Sequence, residues 1–424
     1  MTFRLTRRAA FAVPAALALP GIARGQAPVD ITVHYAQPYI FKPSYDAITE
    51  AFARVEPDIR ITYVTSPGYP EGTQLILRQA ATNQLPDLSF QGLNLLRVFA
   101  ERDIAQDLMP FITREGSAAS QGYTDGLLSL GRFHGYQAGL AYAASTAITF
   151  LNADLCRRAG FDPDNLPNDW DGHIRLAAAL KERTGGPDGM WFAWSEWMFQ
   201  TLVLAHGGRM MTPDETDIAF HGKEGLGTLN LHERYVRETQ MPALNTTTAS
   251  QAFAAGRLGA FYWTTALVRN FIQSVGQGFD FRTLPLPVVG GVANGRLATG
   301  GAAGMITARD PTKREAAWKF LRFATSPQGQ ALMVMNSGYV PCNQLAIDDP
   351  RWLGDFYRQN PLFQAAVTQM RRQAPWFAFP GSNGVRITQA ITNNTARVIE
   401  SSATPEVALA DMAAEVRRLL PRRS

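Results

Sequence analysis

Ile31-Thr32-Val33-His34-Tyr35 is three β-branched side chains followed by two rings, a composition that reads as a strand. Ile48, Phe52 and Val55 follow at spacings of four and three, one face of a helix that Pro57 stops. Ile59, Ile61 and Tyr63 alternate, which predicts a second strand. The loop Pro67-Gly68-Tyr69-Pro70 leads into a helix carrying Leu75, Ile76 and Ala80. Asp87-Leu88-Ser89-Phe90 reads as a short strand, and Leu93 to Arg102 as a helix. Strand and helix alternating at this pace specify βα units, so an α/β fold with a mostly parallel sheet is expected.

Outward from that stretch the pattern changes near residue 140. Leu140 to Phe150 reads extended, and Asn152 to Ala159 helical. Helices are expected at 171–184, 198–205, 225–238 and 248–255. Leu284 to Gly304 is rich in Gly and Pro, a mark of strand edges and tight turns. Further helices are expected at 313–325, 327–336, 362–372 and 387–401. A last one, 406–420, repeats Val407, Ala410, Ala413/Ala414 and Val416 at helical spacing.

The first 27 residues are of another kind. Thr6-Arg7-Arg8 precedes fifteen uncharged residues, Ala9 to Ala23, and small residues then surround Ala23-Arg24-Gly25 and Gly25-Gln26-Ala27. A basic start, a short apolar run and a small-residue cleavage site describe an export signal, and the Arg pair suggests the twin-arginine route. The leader holds four Arg and no acid. Without it 36 of the chain's 40 bases remain against 36 acids, so no general field for nucleic acid persists. Arg417, Arg418, Arg422 and Arg423 read as a solvated helix end. The remaining residues exceed a single core, which implies two domains. Cys156 and Cys342 are too few for a disulfide scaffold, and one bridge or two buried thiols both fit them.

Enzymatic signatures are missing. There is no His-Glu-x-x-His, no Gly-x-Ser-x-Gly and no phosphate loop, and the six His have no metal-ligand spacing. No metal and no cofactor are expected. Trp191-Phe192-Ala193-Trp194-Ser195-Glu196-Trp197 is the densest aromatic run. Three Trp at intervals of three would gather on one side of a helical turn, and the intervening Ser195 and Glu196 argue against a fully buried core. Trp194 and Trp197 are therefore candidates for a cleft that binds a sugar or polyol. In Ser337-Gly338-Tyr339-Val340-Pro341, Gly338 reads as a left-handed helix cap. Arg386 stands at the start of a helix, where a cation is poorly placed unless an anion meets it.

Several segments carry a family likeness. They are Leu85-Pro86-Asp87-Leu88, Ser145-Thr146-Ala147-Ile148 running into Asn152-Ala153-Asp154, and Ala159-Gly160-Phe161-Asp162-Pro163. Phe253-Ala254-Ala255-Gly256-Arg257-Leu258-Gly259-Ala260, Gly300-Gly301, Trp318 to Phe323, and Ser337 to Pro341 complete the set. In their order and spacing the chain resembles the family 1 extracellular solute-binding proteins, and within them the glycerol-3-phosphate-binding branch. The resemblance implies a two-lobed periplasmic binding protein fold, type II-like, with a ligand cleft between α/β lobes. The lobes are expected as residues 28–143 plus 299–337, and 144–298 plus 338–424. It further implies that Ser145, Thr265, Gly301, Tyr339 and Arg386 hold a phosphate, and that Trp194 and Trp197 wall the glycerol part. Tyr69 and Gln91 join the expected ligand contacts. Gln91 stands where the relatives carry an acid, which opens the ligand to a glycerophosphodiester, another phosphorylated polyol or a plain sugar.

The expected function is that of an exported, soluble, monomeric periplasmic receptor that delivers a small polar ligand to an ABC permease. Two rivals are a receptor for a membrane sensor, and a secreted glycosidase using Glu196 with Asp169 or Asp171.

Overall fold

The computed structural model describes residues 28–421 except 134, 291, 293 and 294. The export signal with its Arg pair lies outside the described residues, as do Arg422 and Arg423. Among the described residues twelve strands follow one another: β1 (Val29–Ala36), β2 (Ile59–Ser66), β3 (Leu88–Gly92), β4 (Arg132–Phe133), β5 (Tyr136–Gln137), β6 (Leu140–Ser145), β7 (Ala147–Asn152), β8 (Asp188–Phe192), β9 (Leu258–Thr264), β10 (Phe281–Pro285), β11 (Leu297–Ile306) and β12 (Gln373–Pro375).

They build two α/β lobes. The first sheet has the order β2-β1-β3-β11, with β6 and β12 also paired to β11. Parallel pairing joins β1 to β2 and β3, as βα units require. The sheets as a whole are mixed, because β11 returns from far down the chain and runs antiparallel to both β3 and β6. The second sheet, β10-β7-β9-β8, is parallel only between β8 and β9. β6 ends at Ser145 in one sheet and β7 begins at Ala147 in the other, so Thr146 alone separates the lobes there. The short β12, from the C-terminal part of the chain, pairs with β11 at Leu297–Thr299.

Each lobe has its own packing. Behind the first sheet, the helix Pro311–Ala324 starts with the Asp310 carboxylate accepting from Lys313 N at 2.9 Å, with Pro311 at its first turn. Its inner face buries Ala317, Trp318, Phe320 and Leu321 completely, each large side chain contributing about 1.5–3 kcal/mol relative to exposure. On the other lobe, helices Glu196–Ala205, Lys223–Thr239, Gly384–Ile399 and Pro405–Leu419 enclose a core of Phe199, Met210, Leu229, Ile391 and Met412.

Four local expectations are corrected. Val55 falls beyond the end of the helix Pro38–Ala53 and is 59% exposed, whereas Phe41, Tyr45, Ile48 and Phe52 form the inner face. In Pro405–Leu419 the buried stripe is Ala408, Leu409, Met412, Ala413, Val416 and Leu419, with Val407 exposed. Leu409 and Met412 carry the stripe, which keeps Ala413 and Val416 of the expected set and leaves out Val407 and Ala410. Residues 361–372 form two short 3-10 turns around the helix Gln364–Thr368 and do not make one helix. Trp191 lies within β8, Trp194 in the loop, and Trp197 in the first turn of the next helix, so the three indoles share no helical turn. Cys156 and Cys342 are both free and buried.

Candidate functional site

At the junction of the lobes lies a cavity of about 270 Å³. The first lobe contributes strand ends and the turns after them: Gln37, Tyr39 and Ile40 after β1, Gly68, Tyr69 and Pro70 after β2, Ser145 at the end of β6, and Gly300 and Gly301 in β11. Tyr339 comes from the segment after the helix Pro327–Met335. Facing them are Ser195, Glu196 and Trp197, then Trp263 and Thr264 of β9, Trp376, and Thr388, Gln389 and Thr392 of the helix Gly384–Ile399. A larger hollow of about 800 Å³, lined by Leu77, Asp87 and Arg309, sits at the far end of the first sheet and collects no aromatic ring.

The local sequence explains how these groups are held. Ser195 caps the helix Glu196–Ala205 by accepting from Met198 N at 3.3 Å, which brings Glu196 and Trp197 to the lobe junction. Glu196 N donates to Thr392 Oγ1 at 3.0 Å and ties that helix start to Gly384–Ile399. The Trp197 indole donates from Nε1 to Ala298 O at 3.1 Å and lies across β11. Only glycine fits beneath it. A Cβ at Gly300 would stand 2.9 Å from Trp197 Cε2 and Cζ2, and 2.7 Å from Ser145 Oγ. Gly301 has φ +123°, and a Cβ there would meet Ala143 O at 1.9 Å. Gln37 caps the first helix in the left-handed region, φ 58° and ψ 57°, a conformation uncommon for a side chain of its kind. Its Oε1 accepts from Tyr339 Oη at 3.5 Å, and Tyr339 stacks on Phe41 at 4.8 Å.

Three indoles surround one corner. Trp197 meets Trp263 edge-on, with centroids 5.2 Å apart and planes at 75°, and Trp376 at 6.1 Å and 53°. In that corner Glu196 is 1% exposed. Its Oε2 accepts from Trp376 Nε1 at 3.0 Å and from Asn94 Nδ2 at 3.4 Å, and its Oε1 accepts from Gln200 Nε2. Burial pushes the carboxyl up to about 7, although the Gln200 and Trp376 donors pull the other way. No Lys, Arg or His lines the cavity among the described residues, and none of them groups three or more metal-ligating side chains.

Of the residues expected from sequence, Tyr69, Ser145, Trp197, Gly301 and Tyr339 come together on this cavity. Four do not line it. Gln91 shares a face of β3 with Ser89 and turns into a buried network. There it donates from Nε2 to Ser89 Oγ at 2.8 Å and accepts from Thr73 Oγ1 at 3.1 Å, beside His34. Trp194 packs on Trp191 at 5.7 Å, outside the helix that carries Trp197. Thr265 is fully buried one residue past Thr264, and its hydroxyl has no partner. Arg386 is exposed on the first turn of Gly384–Ile399, while Thr388, Gln389 and Thr392 take the cavity face. The expected left-handed cap at Gly338 is absent; glycine is needed because Thr265 O would lie 1.9 Å from a Cβ. The glycosidase pairing also fails. Asp169 caps a helix by accepting from Gly172 N at 2.7 Å, and Asp171 pairs with Arg234 at 2.7 Å.

The sequence reading missed Gln37, Trp263, Trp376 and the face of Gly384–Ile399. Gln37 had a signal, since it precedes Pro38 at the end of the first strand, where βα turns carry binding groups. Trp263 stands in an alternating strand and Trp376 in a Pro-flanked loop. Neither pattern separates a cavity wall from ordinary packing.

Two α/β lobes with an aromatic and polar cavity at their junction define a receptor that takes a small solute between its halves. The chain belongs to the bacterial extracellular solute-binding protein family, whose model matches residues 47–365. It is 22% identical over 396 residues to the sn-glycerol-3-phosphate-binding periplasmic protein UgpB of Escherichia coli O6:K15:H31, covering 88% of this chain and 86% of that one. In fold it is similar to the GacH receptor of Streptomyces glaucescens, known unliganded and with acarbose, with TM-score 0.80 and 17% identity over 93% of this chain and 99% of that one. UgpB of Mycobacterium tuberculosis in complex with glycerophosphocholine gives TM-score 0.80 and 20% identity over 93% and 98% of the two chains. No helix of the described residues is long and apolar enough to cross a membrane.

Proposed function

We propose that this protein is the periplasmic solute receptor of an ABC importer, and that its solute is a small carbohydrate or polyol without a phosphate group. One observation carries the choice of solute: the cavity wall has six aromatic rings, several hydroxyls and amides, one buried carboxyl, and no basic side chain among the described residues. Indole and phenol faces suit the C–H faces of a sugar, and amides and hydroxyls suit its O–H groups. A phosphate dianion wants charge-assisted donors and would here enter beside Glu196. Family membership and the two-lobed fold support capture and delivery without covalent chemistry. On this reading the export signal sends the receptor to the periplasm, where it acts as a monomer. Closure pivots where the chain crosses between sheets, near residues 144–146 and 297–299.

A second reading, a phosphorylated polyol, is favoured by the curated glycerol-3-phosphate-binding relative. It requires Arg386 to turn inward from its exposed position. Thermal shift and calorimetry against mono- and disaccharides, polyols, glycerol-3-phosphate and glycerophosphodiesters separate the two. A ligand at 100 times its Kd adds about 2.7 kcal/mol of stability. The proposed reading expects an unphosphorylated sugar or polyol to raise Tm, and Arg386→Ala to leave its Kd unchanged. Tight binding of glycerol-3-phosphate that Arg386→Ala abolishes would replace this reading with the second.

A further inference from the structure

Glu196 is a buried carboxyl whose partners are all neutral. Asn94, Gln200 and Trp376 donate to it, and among the described residues it makes no ion pair, whereas the other buried acidic and basic side chains, Asp87 and Arg97, meet Lys313 and two carboxylates. A buried anion normally has a countercharge, because donors without charge recover only part of the hydration that burial removes. The position lines the cavity, so the missing charge can come from a solute.

The walls around it have the same preference. Trp197, Trp263 and Trp376 bound three sides of the corner at centroid distances of 5.2 and 6.1 Å, with planes steeply inclined to one another. Tyr39, Tyr69 and Tyr339 line the cavity too. Indole faces carry negative electrostatic potential and attract ammonium groups, most strongly where water is excluded. Gln37, Ser145 and Gln389 leave hydrogen-bonding capacity for hydroxyls elsewhere on the wall.

We infer that the solute carries a positive centre, an amino or alkylammonium group, which seats against the Glu196 carboxylate within the Trp197–Trp263–Trp376 corner. This deepens the proposed reading and rests on it. The ionised form of Glu196 is the one that binds, and an arriving ammonium holds it ionised. The uncharged neighbours in contact with it, Asn94, Gln200, Trp376 and Thr392, bring no competing charge.

The test uses pairs of probes that differ in charge and little in shape, measured by calorimetry on the mature protein. Glucosamine against glucose represents amino sugars; choline against 3,3-dimethylbutan-1-ol represents quaternary ammonium. At least one cationic member should bind tenfold or more tighter than its neutral partner, and the pair that shows it identifies the source of the charge. In Glu196→Gln that ratio should fall at least tenfold, while Glu196→Asp retains part of it and Tm confirms that both variants fold. Equal binding of charged and neutral members overturns the inference alone and leaves a neutral-sugar receptor standing. An unchanged ratio in a folded Glu196→Gln also overturns it. Failure of every sugar, polyol and amine to bind, with glycerol-3-phosphate binding instead, overturns the inference together with the reading beneath it.

Discussion

The indole of Trp197 rests directly on Gly300: a methyl group at that Cα would come within 2.9 Å of two ring carbons. The contact joins the first turn of a second-lobe helix to β11, the longest strand of the first sheet. It places the ring that forms one wall of the cavity.

Gly300→Ala should therefore tilt or displace Trp197. The added methyl would also stand 2.7 Å from Ser145 Oγ, so the strain is shared between fold and site. A loss of about 1–3 kcal/mol in stability, the usual range for overpacking, is expected with weaker ligand binding. Chemical denaturation and calorimetry measure the two. A variant as stable and as tight as the parent would mean that the ring does not need its present place.

Trp263 is partly exposed and meets Trp197 edge-on. Trp263→Ala should cost little stability and weaken solute binding by about 1–3 kcal/mol, the range found when a ring stacked on a planar ligand is removed. Unaltered affinity in a folded variant would take Trp263 out of the binding wall.

Burial raises the Glu196 carboxyl from its ordinary 4.5 to about 7. Between those values the native state holds a proton that the unfolded chain has lost, so this group's contribution to stability falls as pH rises across the window. Glutamine has the shape of the protonated acid and does not titrate. The ligand-free Glu196→Gln protein should thus gain stability relative to wild type as pH climbs from about 4.5 to about 7. A constant difference across that range, read from urea midpoints, would contradict the burial of the charge.

Arg97 spans the lobe junction on another side. Its guanidinium contacts Glu101, the C-cap of its own helix Leu96–Ala100, at 2.6 Å, and Glu215 of the second lobe at 2.6 Å. It also donates to Ala378 O at 3.4 Å. Arg97→Met keeps the stem and removes the fork. It should lower stability by about 1–3 kcal/mol and enlarge the radius of gyration of the ligand-free protein in solution scattering. Unchanged dimensions would assign the pair to the fold rather than to lobe closure.

Much of this architecture was legible in local pattern. Alternation at Ile59, Ile61 and Tyr63, and the helix stop before Pro57, place β1, β2 and the helix between them, because burial on one face writes itself into spacing. Where the spacing misled, a stronger side chain decided. Leu409 and Met412 outweigh the alanines that suggested a stripe through Val407, since buried area and not periodicity alone sets which face turns inward.

The candidate site was half visible. Tyr69 and Trp197 start helices, Ser145 ends a strand, Gly301 is one of a Gly pair in β11, and Tyr339 follows Gly338, and caps and glycines of this kind advertise themselves in sequence. Thr265 follows the cavity residue Thr264 yet turns into the core, and on β3 the face shared with Ser89 carries Gln91 into the His34–Ser66–Ser89 network. One residue of register reverses a side chain's face.

Sequence by itself determined the α/β class, the two lobes and the glycines on which the cavity floor depends, because these follow from short-range spacing and backbone sterics. Tertiary structure alone decided that Glu196 is buried, that Trp376 and Thr392 come from 180 or more residues away to meet it, and that Arg386 does not line the cavity. Those facts are set by packing between distant segments, and a carboxyl's environment is a sum over neighbours that no local pattern records.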